Sequence, residues 1–375
     1  MVESYLPEHG GQLRELALQF NVPEATLIDF SASIHPVPLS DAVVEALCEA
    51  LRARKILTAY PELRSTELKR AIAAYTGVDV SSIAVGSGVM PLLGAAVHAL
   101  GARAFLVPVP SFAEYPKVLS VCGAQCRTFT LHPEAEFFLD ATRVLAEMKA
   151  ACAQALLLAN PQSPSGRLMP AERLLELYEA ARALGAATII DEAFIDYVPE
   201  ESLSPWAAQL PGLIVLRSLT KFFAMPGLRV AYAISCPQTR ISIEEAIPAW
   251  PVSSIAAEAA RMALQDCAAT AAVRETNSRE RGWLAERLQS LGLRVFPAAA
   301  NYLLVKIHDR LNGLEFWRRM IAEHRIVLRC CANFEGLDEH YFRVGVRKRS
   351  ENQLLAEAFA AALRSTSPQS ARSHA

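Results

Sequence analysis

The chain has 375 residues, with 37 Lys and Arg against 39 Asp and Glu, for a formal net charge of −2. That balance leaves no basic field for nucleic acid or an anionic membrane, and a content of 52% hydrophobic residues excludes disorder throughout. Mean hydropathy is +0.20, yet no run of about 18 uncharged apolar residues occurs, so no transmembrane helix is expected. The opening MVESYLPEHGG has acids where a signal peptide carries lysines. The eight cysteines (48, 122, 126, 152, 236, 267, 330 and 331) follow no paired CxxC spacing. Neither structural zinc nor a disulfide framework is expected, and a reducing cytoplasm is the expected compartment.

At about 150 residues per domain, the length points to two domains. Short apolar runs alternate with longer helical ones, the pattern of βαβ units on a mostly parallel sheet. In chain order the expected strands are 82–85, 103–108, 125–130, 155–159, 187–190, 213–217 and 229–235, with helices such as 90–100, 140–151 and 171–184 between them. Several of these strands are continuously apolar, as strands covered on both faces are. A helical run over 254–291 then leads to strands at 293–297, 302–307, 326–328 and 341–346 and helices at 314–324 and 352–364, the pattern of a smaller α+β unit. The polar tail 365–375 is expected to be disordered.

Five segments carry chemistry. In Ser218-Leu-Thr-Lys-Phe-Phe-Ala-Met-Pro-Gly-Leu-Arg229, Lys221 follows an apolar strand in an aromatic setting. Desolvation there would lower its pKa, as a Schiff-base lysine requires. An isolated strand-end lysine would more simply reach solvent, but Ser218 and Arg229 flank this one and could hold a phosphate dianion. Asp191, at the end of an apolar strand, is either a capping carboxylate or the partner of a cofactor ring nitrogen. Asn160, in Asn-Pro-Gln-Ser-Pro-Ser-Gly, sits in a turn from which its amide could reach the same ring. Gly86-Ser-Gly-Val-Met-Pro91 joins a strand to a helix, where glycines let the backbone approach a phosphate and the helix N-terminus offers it free N–H groups. Phe112, in Pro-Ser-Phe-Ala-Glu-Tyr, is either core packing or a stacking platform.

Taken in order, SGV, PSFAEY, NPQSPSG, DEAF and SLTKFFAMPGLR resemble the fold-type I, aspartate-aminotransferase-like pyridoxal-phosphate enzymes along essentially the whole chain. The resemblance implies an α/β fold with a seven-stranded, mostly parallel sheet. It also implies a division into residues 1–45 (N-terminal arm and part of the small domain), 46–250 (large cofactor-binding domain) and 251–364 (linker helix and small domain). Lys221 would carry pyridoxal 5′-phosphate, Asp191 would pair with the pyridine nitrogen, Asn160 would contact the 3′-oxygen and Phe112 would stack on the ring. Gly88, Val89, Met90, Ser218 and Arg229 would hold the cofactor phosphate. Tyr60, in Ala-Tyr-Pro, resembles the tyrosine that reaches the neighbouring subunit's cofactor, which implies a homodimer.

Within that superfamily the chain resembles the threonine-phosphate decarboxylases of cobalamin synthesis and the histidinol-phosphate aminotransferases. His9-Gly10-Gly11, the Ile28–Pro36 segment, and Arg329-Cys-Cys-Ala-Asn-Phe-Glu-Gly-Leu followed by Tyr-Phe-Arg343-Val are similar to the decarboxylases. There Arg329, His9 and Gly10 would bind the substrate phosphate, Arg343 would bind the α-carboxylate, and Ser33 would line the same pocket. Departures fall at Ser33, His35, Ser87 and Ser253, where the decarboxylases usually carry Asn, and at Val89 and Met90, where they carry a polar pair. Phe194 stands where aminotransferases usually have Tyr. The implied reaction is decarboxylation of threonine phosphate or a close relative such as serine phosphate. The alternatives are a histidinol-phosphate-type aminotransferase and a non-catalytic binding protein.

Overall fold

A computed structural model describes residues 6–364; the expected disordered tail, 365–375, lies outside the described residues. Seven strands form the main sheet: β1 (Ile83–Gly86), β2 (Ala104–Val109), β3 (Gln125–Thr130), β4 (Ala155–Ala159), β5 (Ala187–Asp191), β6 (Leu213–Ser218) and β7 (Ala231–Ile234). Their order is β1-β7-β6-β5-β4-β2-β3. Only β7 runs against its neighbours; the pairings from β6 through β3 are all parallel. All seven coincide with the expected runs to within a few residues.

Apolar runs without alternation make sense here because both faces are covered. Leu156, Leu158, Ile190 and Val215 enter one hydrophobic cluster with the helices Thr66–Thr76, Ala171–Ala183 and Ser254–Gln265. Leu157, Ile189, Ile214 and Leu216 enter another with the helix Val89–Leu100. Adjacent residues thus feed opposite faces, as the two-residue strand period requires.

A four-stranded antiparallel sheet in the order Arg329–Cys330, Tyr341–Gly345, Tyr302–Lys306, Arg294–Val295 forms the second unit. Its core joins Phe342 to Trp317 and Phe359 on helices Gly313–Ala322 and Arg349–Arg364, and to Leu16 and Phe30 from the N-terminal segment. A short parallel pairing of Ile28–Asp29 with Ile326–Val327 ties the N-terminal segment to this unit. By Leu39 and Leu47 the chain already packs on the main core.

The expected continuous helix over 254–291 is two helices, Ser254–Gln265 and Cys267–Gln289. Asp266 breaks it with φ −82° and ψ 75°, and its carboxylate accepts the Ala269 N–H at 2.9 Å. An aspartate favours this N-cap arrangement over a place in a helix interior.

Candidate active site

β1 ends at Gly86, and helix Val89–Leu100 starts with Gly88 as its N-cap at φ +113°. A Cβ on Gly88 would stand 2.9 Å from Arg229 Nη2. The guanidinium therefore lies against bare backbone beside the first N–H groups of a helix, which lack intrahelical acceptors. Arg229 is brought there from the turn Pro226–Leu228 by its own left-handed backbone, φ +55°. Ser218, the last residue of β6, has its hydroxyl 2.7 Å from Thr220 Oγ1. A helix N-terminus and a guanidinium meeting at a glycine make an anion cradle.

Lys221 follows β6, half-buried. Its ammonium is pushed down to about 8 by desolvation, with the charges of Arg343 and Arg229 adding to the effect and Asp29 and Asp191 opposing it. Its carbonyl accepts the backbone N–H of buried His35 at 3.1 Å. Asp191 closes β5 and is 6% exposed. Its Oδ2 accepts the Tyr115 hydroxyl at 2.7 Å and its Oδ1 the Ala193 N–H at 3.0 Å. Burial pushes this carboxyl up; those two hydrogen bonds and the charge of Lys221 pull it back. Phe112 meets Tyr115 edge-on, with ring centroids 5.7 Å apart.

Asn160 follows β4 fully buried, and its amide is largely engaged: Oδ1 accepts Met169 N–H at 2.9 Å and Nδ2 donates to Met169 O at 3.0 Å. An amide nitrogen has two N–H bonds, so one remains for a ligand.

The second unit brings the arginines. In its antiparallel ladder Arg329 stands directly opposite Arg343, so both side chains leave the same face. Arg329 is 3% exposed and donates to Cys330 O, Glu8 O and Asn333 Oδ1, the last at 2.7 Å. Burial lowers it to about 10. Arg343 donates to Ser163 Oγ at 3.3 Å and Ser31 O at 3.2 Å, lies over the Tyr302 ring, and keeps a buried Nε without a partner. Neither has a carboxylate among these partners, and like charges directly opposite in a ladder repel.

The N-terminal strap crosses this pair. Glu8 O meets Arg329, and Gly10 packs so tightly on Ser31 that a Cβ would overlap its carbonyl. Gly11 N–H donates to Ser31 Oγ at 2.9 Å, and His9 Nε2 lies 3.0 Å from Glu114 Oε1, with its ring 6.0 Å from the Phe112 ring centre.

The structure thus gathers Lys221, Asp191, Phe112 and Asn160, the Gly88–Met90 cradle with Ser218 and Arg229, and the strap with Arg329 and Arg343. Tyr60 is not gathered: it is 81% exposed and stacks on Trp250 at 4.6 Å. Ser33 is buried at φ +29° with its hydroxyl unpartnered, and Ser253 caps Ser254–Gln265 through Ala256 N–H. Phe194 packs edge-on against Tyr302 at 4.9 Å. Sequence reasoning missed Tyr115, Glu114, Ser163 and Tyr302. Tyr115 had a usable signal, since it lies three residues beyond Phe112 in the same short segment, and a turn there brings its N–H to the Phe112 carbonyl at 3.2 Å. Among the described residues no cluster suits a metal ion, and no helix is long and apolar enough to cross a membrane.

Comparison with known proteins gives the family. The family model for aminotransferase class I and II matches residues 25–359. A threonine-phosphate decarboxylase of Salmonella typhimurium is 33% identical over 365 residues, 96% of this chain and 98% of that protein. A histidinol-phosphate aminotransferase of Methanococcus maripaludis is 27% identical over 356 residues, 94% of this chain and 93% of that protein. Among solved structures, L-threonine-O-3-phosphate decarboxylase from Porphyromonas gingivalis superposes with a TM-score of 0.78 at 23% identity, covering 89% of this chain and 99% of that one. Histidinol-phosphate aminotransferase from Sinorhizobium meliloti, in complex with pyridoxal-5′-phosphate, gives 0.84 at 21% identity over 98% and 99%. The architecture is the fold-type I α/β fold, and the chain belongs to the aminotransferase class I and II family.

Proposed function

We propose that the protein is a pyridoxal 5′-phosphate-dependent carboxy-lyase that decarboxylates L-threonine O-3-phosphate, or a close phospho-amino acid such as serine phosphate, to the corresponding amino-alcohol phosphate, (R)-1-amino-2-propanol phosphate from threonine phosphate. One observation carries the reading: Arg329 and Arg343 face each other across a ladder, without a carboxylate between them, beside a lysine poised near neutral pH. Such a pair calls for a substrate with two anionic ends. A phospho-amino acid carries both ends on one molecule, whereas histidinol phosphate has only its phosphate and an aminotransferase would fill the second anchor only with its keto acid.

The cofactor fits this chain, because the space a Cβ on Gly88 would fill is bare backbone facing Arg229. Gly88, Val89, Met90, Ser218 and Arg229 would hold its phosphate, Asp191 its ring nitrogen, the free Asn160 N–H its 3′-oxygen, Phe112 its ring face and Lys221 its aldehyde carbon. When bound, pyridoxal phosphate supplies an electron sink for bonds breaking at the substrate α-carbon.

The protein's part is orientation and proton handling. Arg343 holds the α-carboxylate, and Arg329, His9 and Gly10 hold the side-chain phosphate; a planar guanidinium suits both anions. Fixing both ends fixes rotation at the α-carbon and so decides whether the carboxylate or the hydrogen is aligned for cleavage. Buried Tyr302 and Phe194 wall the site beside Arg343. Lys221, titrating near 8, can hold a proton and deliver it to the α-carbon after carbon dioxide leaves. Tyr60 from a second copy completes the phosphate cradle of a homodimer, and the eight free cysteines suit the cytoplasm.

Incubating the cofactor-loaded protein with phosphothreonine should release carbon dioxide and form the amine phosphate. Keto-acid-dependent amine transfer from histidinol phosphate, with no carbon dioxide from any phospho-amino acid, would overturn the proposal.

A further inference from the structure

We infer that Tyr115 is a positioning residue that fixes Asp191 as an oriented carboxylate; the inference rests on the function proposed above. Tyr115 is 1% exposed, and its hydroxyl reaches Asp191 Oδ2 at 2.7 Å. The Ala193 N–H takes the other oxygen at 3.0 Å, so each carboxylate oxygen is held by its own donor and the plane of the group is set. An ionised carboxylate only accepts; a phenol donating to it favours the charged form over the neutral one.

That help is needed, because burial alone pushes Asp191 towards its neutral acid. A neutral acid would give the cofactor ring nitrogen no negative partner. The phenol itself stays protonated, since burial and the neighbouring Asp191 raise it far above its ordinary value. Lys221 and Tyr302 are the other ionisable groups acting on this pair. Tyr115 also meets Phe112 edge-on at 5.7 Å and 83°. One side chain thus braces both the expected stacking ring and the expected ring-nitrogen partner, and no residue of the second unit takes part in its hydrogen bond.

Tyr115→Phe keeps the ring and its contact with Phe112 while removing the hydroxyl. In the holoenzyme it should raise the cofactor dissociation constant about tenfold, the scale of one lost charge-assisted hydrogen bond. It should also move the pH midpoint of the cofactor's visible absorption upward. A protonated ring nitrogen and a protonated Lys221 linkage repel, so weakening the first lets the second keep its proton to higher pH. Tyr115→His, which returns a donor, should bring the midpoint back toward wild type. If the phenylalanine variant does not fold, fluorotyrosine in place of Tyr115, a stronger donor of nearly the same shape, should move the midpoint down.

Unchanged affinity and midpoint in Tyr115→Phe, or an unmoved midpoint with fluorotyrosine, overturns the inference and leaves the proposed function standing. A wild-type protein that develops no visible band with pyridoxal phosphate overturns the proposed function instead.

Discussion

At the scale of single residues, Lys221 is held under tension. Its ammonium is desolvated and faces the positive charges of Arg343 and Arg229, so the folded protein resists protonating it. Its folded pKa of about 8 lies below the value of 10.5 for a free lysine; the unfolded chain therefore binds more protons between those values, and stability from this group rises with pH across that window. Below pH 8 the full cost is present. In cofactor-free protein, Lys221→Met should raise the melting temperature at pH 7, and the gain should shrink as pH approaches 10.5. The same variant should form no visible cofactor band and show no turnover.

The two arginines divide differently. Arg343→Ala should weaken every amino-acid substrate, phosphorylated or not, by roughly one to two decades, the range of a lost charge-assisted contact. Arg329→Ala should weaken phosphorylated substrates by a similar factor and spare the others, while also raising the fraction of amine transfer per decarboxylation. His9→Ala should act as a milder Arg329→Ala. Competition assays with paired phosphorylated and unphosphorylated amino acids read the difference; equal losses on both classes from Arg329→Ala would contradict the division of roles.

At the scale of elements, helix Val89–Leu100 has glycines at both ends with opposite purposes. Gly88 at the N-cap has φ +113° and faces Arg229, whereas Gly101 at the C-cap has φ +62° and open space, with nothing within 4 Å of where a methyl group would stand. Alanine is strained by either backbone conformation. Gly101→Ala should therefore cost about 1 kcal/mol of stability and leave cofactor affinity alone. Gly88→Ala should add a methyl inside the anion cradle and weaken pyridoxal phosphate about tenfold or more; absorbance titration beside thermal melting separates the two effects. The helix and its loop were legible in sequence because Gly-x-Gly before an apolar run is a local signal. So were β4 and β6, whose burial on both faces leaves uninterrupted apolar runs. The opposition of Arg329 and Arg343 was not legible, since the register depends on how residues 331–340 turn. Nor was the engagement of Asn160 by Met169, which requires the folded loop between them. The break at Asp266 turned on one capping side chain, a weaker signal than the helical periodicity on either side.

At the scale of the whole molecule, Arg229 of the anion cradle is exposed. Tyr60 is exposed and stacks on Trp250, itself 44% exposed, and Leu57 and Leu63 nearby are each 59% exposed. Apolar side chains gathered on one segment fit contact with a second copy better than contact with water. If Tyr60 of one subunit serves the cradle of the other, two broken chains can make one whole site. A Tyr60→Phe chain retains Lys221, and a Lys221→Ala chain retains Tyr60; in a mixed dimer the Lys221 of the first meets the Tyr60 of the second. At subsaturating cofactor, where loss of the Tyr60 hydroxyl is felt, the mixture should therefore exceed the sum of the two separate activities once subunits have exchanged. The second site of the same mixed dimer carries both changes and stays silent, so recovery cannot reach wild type. A mixture no more active than the sum, or a fully active monomer in analytical ultracentrifugation, would show that each chain builds its cradle alone.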